Sequence, residues 1–231
     1  FLKDVKNRGA LDVKSMDPQQ AIEHLNQVHN VLKENLLKLG INETAIEVAR
    51  DINKAVINII SGFRSLSKLY MSFKDNCSDE FMRALLTSYE LSIMIDTFDW
   101  RSDAIKEKAC LAALMCDINL DDNDFKELEG AESPNALSRK VFWHPKTVAG
   151  MLSKESKEIS QETLTIILQH HEKPDGSGFP HKLQYPGISL LSSVHIVACD
   201  FAIRWKKSNF DVSQKQELLD NMYEYYKHGN L

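Results

Sequence analysis

Along most of this chain apolar residues return every three or four positions, the spacing of one helix face, while strict apolar–polar alternation is scarce. Asp17-Pro18 sets a capping carboxylate ahead of a first-turn proline, and Ile22, Leu25, Val28, Val31 and Leu32 predict a helix that Gly40 ends. Asn42 caps a second long helix, in which Ala45, Val48, Ile52, Ala55, Val56, Ile59 and Ile60 make one wide apolar stripe. These two predict an N-terminal helical layer or hairpin over residues 1–75. Residues 76–231 read as a second unit, with helices expected around 79–97, 102–116, 138–153, 160–171, 188–206 and 213–227. Glycine and proline are sparse and gather most densely in Pro174–Gly187, which reads as a loop. The fold class is all-α.

The wide apolar faces of the N-terminal helices need cover. Their own domain is the expected cover, and a homodimer through these helices is the other. The acidic stretch Asp121-Asp122-Asn123-Asp124 reads as a solvated loop. Calcium is rejected there, because no glycine stands at the sixth position and Glu132 falls in an alanine/serine/proline loop.

Composition narrows the class. Hydrophobic residues make up 43% and charged residues 26% of 231, as in a soluble domain with a real core. The longest apolar runs, such as Ala109–Cys116, are far too short to span a bilayer, so no membrane partner is expected. No signal-peptide pattern is visible, and the start at Phe1 rather than Met is what a piece of a longer protein would show. Net charge is −5 with no recurring basic stripe, which argues against binding a nucleic-acid polymer. Cys77, Cys110, Cys116 and Cys199 show no CxxC spacing, and a reduced, cytoplasmic protein is the expectation.

Chemistry concentrates in His170-His171-Glu172-Lys173-Pro174-Asp175-Gly176-Ser177-Gly178-Phe179-Pro180. Leu164, Ile167, Leu168 and His171 share a helical face, which turns His171 inward; His170 is rotated by roughly 100° on an ideal helix. Adjacent histidines at a helix end can flank one ion if the last turn unwinds, and Pro174 and the glycines permit that. Asp175 is expected to fasten the turn through backbone amides. Glu172 and Lys173 form an exposed ion pair or cap the loop. His181 and His195 are expected as surface or core residues.

This run resembles the GYP signature of HD-GYP domains, His-His-Glu-basic-x-Asp-Gly-x-Gly-Tyr-Pro, with Phe179 in place of the tyrosine. Trp143-His144-Pro145 resembles the family's His-Pro segment, and Ala112–Ile118 the helix end that normally reads Ala-Ala-Leu-Leu-His-Asp-Ile. The resemblance covers roughly residues 80–212. It implies a helical HD-superfamily bundle with an N-terminal helical extension, and cleavage of cyclic di-GMP by two or three iron or manganese ions. It further implies that one ion is held by Asp117, His144, His170 and His171, all present here. Asp117 is the residue expected to carry catalysis if any survives. In this family the GYP loop also docks diguanylate cyclase (GGDEF) domains. Lys173, Asp175, Gly176, Gly178, Phe179 and Pro180 would form that ligand or partner loop.

The second ion fares differently. No histidine lies between His29 and His144, so the upstream ligand is missing. Cys116 replaces the histidine of the His-Asp pair, and Leu120 the lysine that normally follows. Aligned without a gap, Val197-Ala198-Cys199-Asp200-Phe201 puts Cys199 at the last ligand position; a one-residue insertion puts Asp200 there. Cys116 and Cys199 are expected to fill the vacated space as small apolar groups, with a disulfide or thiolate metal site as the lesser alternative. Ser208 and Asp211 stand where phosphate-binding basic residues are expected, with Lys206 and Lys207 nearby.

At most one well-ligated divalent ion, iron or manganese, is therefore expected. Losing one oxyanion-stabilising donor often costs ~10²–10³ in rate, and losing a metal removes more charge than that. The favoured reading is a degenerate domain in bacterial cyclic di-GMP signalling that binds a partner or nucleotide. An active phosphodiesterase with an unusual metal centre is the alternative, and another metal-dependent phosphohydrolase trails both.

Overall fold

A computed structural model of the chain describes residues 13–155 and 158–227. Among them are α-helices and short 3-10 turns, with no strand beyond one isolated bridge between Asp175 and Gln184. In chain order the helices are α1 (Pro18–Leu39), α2 (Glu43–Ile60), α3 (Leu66–Phe73), α4 (Asp79–Asp96) and α5 (Asp103–Met115). They continue with α6 (Asp122–Gly130), α7 (Arg139–Leu152), α8 (Gln161–Gln169), α9 (Leu190–Lys207) and α10 (Lys215–Tyr226).

The starts follow from capping. The side chains of Asp17, Asn42, Ser78, Ser102, Ser138, Ser160 and Ser189 each accept a backbone N–H of the first turn, satisfying donors that the helix cannot. Gly40 ends α1 at φ +78°.

Helices α4 and α5 form the centre. Helix α2 packs on both, α9 lies along α4, α8 rests against α5 and α9, and α1 covers α2. Leu25 and Leu32 of α1, Ile46 and Ile52 of α2, Leu85 of α4 and Ala112 of α5 belong to one buried cluster, so the N-terminal apolar faces are covered within the chain. Lys33 of α1 adds a polar link, bonding both the Glu80 carboxylate of α4 and the Leu120 carbonyl.

Two elements depart from expectation. Helix α3 was not anticipated, although Ser65 caps it and Leu66, Leu69 and Phe73 form its buried face. The acidic stretch is the start of a helix and not a solvated loop. Asp121 caps α6 and Asp124 closes a reciprocal capping box, while Lys140 pairs with both carboxylates. Negative charge there also meets the positive end of the helix dipole. No helix among the described residues is long and apolar enough to cross a membrane.

Candidate metal centre and adjoining cavity

His144 lies in α7 with Pro145 directly after it, inside the helix. Proline has no N–H, so the Val141 carbonyl four residues earlier loses its helical donor. The Nδ1 of His144 takes that place, 2.6 Å from the Val141 oxygen. A similar device operates at the end of α8. Ile167 is among the last residues of that helix, whose final carbonyls have no intrahelical partner. The Nδ1 of His170 lies 2.7 Å from its oxygen. A carbonyl only accepts, so both Nδ1 atoms carry the proton and both Nε2 atoms present lone pairs in the neutral ring.

Those two Nε2 atoms face each other at 3.2 Å. They also lie 3.2 and 3.3 Å from the same oxygen, Oδ1 of Asp117, which follows the end of α5. The Nε2 of His171 is 4.0 Å from it, buried and without a hydrogen-bond partner. All four ligand atoms fall within 4.8 Å of one another. Two imidazole lone pairs and an orphaned third, gathered round a buried carboxylate, call for a cation, and backbone-anchored Nδ1–H groups are the usual way a histidine ligand is oriented. This buried Asp/His cluster could hold a metal ion.

Charge agrees with that fit. Burial works to raise the Asp117 carboxyl, but the imidazoles of His144 and His170 beside it outweigh that and hold Asp117 well below the usual range. Burial, with the neighbouring His170 and His144, keeps His171 well below the ordinary imidazole value, and so neutral.

The helix ends at Gln169, earlier than the expected 171, and this brings both histidines to one point. The loop beyond is fastened from inside. Glu172 is fully buried and accepts the N–H groups of His181 (2.7 Å) and Leu183 (2.8 Å), so it caps the loop and forms no exposed ion pair. Gln169 binds the Gly187 carbonyl and the Ser189 N–H. Asp175 accepts the Ser177 N–H at 2.9 Å, the turn role expected of it. Gly178 is sterically required, since a Cβ there would sit 2.4 Å from the Lys173 nitrogen and 2.5 Å from the His171 oxygen. Gly176 adopts φ +77°, and Lys173 is exposed. Phe179, beside the buried Pro180, stacks on His171 with ring centroids 4.6 Å apart.

A cavity of about 500 Å³ adjoins the cluster. Asp117, His170, His171, Cys116, Cys199, Glu80 and Arg83 are among the residues that line it. All four cysteines are free. Burial raises the thiols of Cys116 and Cys199, so both are neutral and fill space. Asp200 stands outside the four-residue cluster; it accepts from Arg204 Nε at 2.7 Å and from the Tyr226 hydroxyl at 3.0 Å. Burial raises the Glu80 carboxyl to about 7, against the pull of Lys33.

Arg83, Gln169, Tyr225 and Tyr226 went unread in the sequence. No motif marks them, and each acts through a partner distant in the chain. His195 is buried with neither ring nitrogen bonded, and burial lowers it to about 3; His181 is exposed.

No family model and no curated protein matches the chain. Among solved structures it matches Bd1817, described as a HDG"Y"P protein from Bdellovibrio bacteriovorus, at 15% identity and a TM-score of 0.59, over 95% of this chain and 80% of that one. The chain thus has the all-helical fold of an HD-GYP protein.

Proposed function

We propose that this chain is a degenerate HD-GYP-type domain of cyclic di-GMP signalling, which binds a nucleotide or a protein partner with little or no turnover. The observation that carries the reading is asymmetry. Three imidazoles and a carboxylate converge in one cluster, whereas the two neutral thiols and the arginine that also line the adjoining cavity belong to no such cluster among the described residues.

Asp117, His144, His170 and His171 would hold one divalent ion, iron or manganese, a set that suits a first-row metal. Such an ion supplies positive charge that polarises a phosphoryl oxygen. The chain's own residues do the rest. The Val141 and Ile167 carbonyls orient the rings, Phe179 steadies His171, and Glu172 holds the loop that presents Lys173 and Asp175 to a ligand or a GGDEF-domain partner.

The intact cluster favours an active phosphodiesterase as the second reading. Metal analysis with cyclic di-GMP turnover in iron(II) and manganese(II) separates the two. One ion per chain, binding by calorimetry and no turnover is the expected result. Robust turnover would establish the active enzyme instead, and absence of metal would mean that even the remaining four-residue set is vestigial. Sedimentation of the same sample tests self-association through the N-terminal helices.

A further inference from the structure

Arg83 lies near the start of α4, and its side chain is 16% exposed. Its guanidinium, with five N–H donors, has one hydrogen-bond partner among the described residues, Glu129 Oε1 at 3.3 Å. That glutamate is half exposed, and the Arg83 Cζ lies 5.3 Å from the centre of the Phe125 ring. Most of the donor fork is therefore uncommitted while the group sits in the wall of the cavity that Asp117, His170 and His171 also line. Lys173, Arg204 and Lys207 add further cations to the lining, of which Arg204 is paired with Asp200.

A half-hidden guanidinium bound by one long contact, in the lining of a cavity that a cation-seeking cluster also lines, suits an anion held by both. The cavity volume lies within the ~300–1,000 Å³ of small-molecule sites. A planar fork matches phosphate oxygens in pairs, which a single ammonium does not.

We propose that Arg83 is the phosphate-binding residue of this cavity, so that a phosphate ester sits with its phosphoryl oxygens between the cluster ion and the Arg83 guanidinium. The ligand class is a phosphomonoester or phosphodiester of nucleoside size. The inference rests on the binding reading above and adds to it a protein cation in the lining that Cys116 and Cys199 share. Glu129 is the competitor that the phosphate displaces.

The test is calorimetry of the manganese-loaded full chain with inorganic phosphate and, separately, with cyclic di-GMP. The proteins are the wild type, Arg83→Gln, Arg83→Lys and Glu129→Gln, with metal content measured in each. Arg83→Gln is expected to weaken both ligands about tenfold or more, as loss of a charged hydrogen-bonding pair does, with metal content unchanged. Arg83→Lys is expected to lie between, and Glu129→Gln to tighten phosphate. Unchanged binding by Arg83→Gln overturns the proposal, whatever its metal content. If that variant does not fold, unchanged or weaker phosphate binding by Glu129→Gln overturns it. Cyclic di-GMP binding that ignores Arg83 leaves the broader reading standing and removes this inference. Phosphate binding that needs Arg83, without cyclic di-GMP binding, does the reverse, and binding of neither ligand removes both.

Discussion

Pro145 turns a helix defect into a ligand mount. Without its N–H the Val141 carbonyl is free, and the His144 ring occupies it. Pro145→Ala would restore an ordinary helical bond to that carbonyl and remove an interior proline that costs a helix ~3 kcal/mol. The expected variant melts at higher temperature and binds manganese about 10-fold more weakly, the usual scale for loss of a ligand's orienting partner. An unchanged manganese Kd would show that the Val141 contact orients nothing. Gly178 is the second such position. The atoms a Cβ would meet there are backbone atoms of His171, Glu172 and Lys173, which cannot swing aside. Gly178→Ala should therefore cost ~1–3 kcal/mol in denaturant unfolding, as overpacking does, and should lower metal content because His171 must move. A variant with wild-type metal content would place the strain elsewhere.

At the scale of elements, the caps Asp17 and Asn42 and the periodicity of apolar positions made most helices legible. Helix α6 was missed since its only buried residue is Asp124, which leaves no apolar stripe to read; its capping box was the available signal. The convergence of His144, His170, His171 and Asp117 was legible through the resemblance and the glycine-rich turn. Arg83 and Gln169 were not, because Arg83 meets Glu129 of another helix and Gln169 meets the Gly187 and Ser189 backbone beyond an irregular loop, pairings that no local pattern marks. The same is true of Lys33, whose partners are the Glu80 carboxylate and the Leu120 carbonyl. Lys33 and Glu80 are 18% and 11% exposed, so removing one leaves the other poorly solvated. Lys33→Met should destabilise the chain by roughly 1–3 kcal/mol, somewhat less than a fully buried pair. Glu80→Gln made together with it should recover part of that loss. Denaturant midpoints of the single and double variants measure both, and absence of coupling would show that the pair contributes nothing.

The whole molecule closes over imidazoles that have to stay neutral. His29 of α1 is fully buried; its Nε2 donates to the Leu114 carbonyl of α5 at 3.3 Å, and its Nδ1 has no partner. Protonating Nδ1 would bury an unpaired charge, and burial lowers the group from 6.5 to about 4. His195 behaves alike, lowered by burial to about 3. In both cases the folded value lies below the unfolded one, so the unfolded chain takes up protons first as pH falls. The resulting stability is complete above about 6.5 and is lost as pH drops toward the folded values, with a slope of about 1.4 kcal/mol per pH unit for each proton. His29→Gln retains an N–H for the Leu114 carbonyl but cannot titrate. Unfolding free energies between pH 7 and 4.5 should therefore fall less steeply for this variant, by about one proton's slope. Parallel curves for wild type and variant would mean that His29 escapes its burial before it is protonated, and that α1 lifts from α5 while the rest of the molecule stays folded.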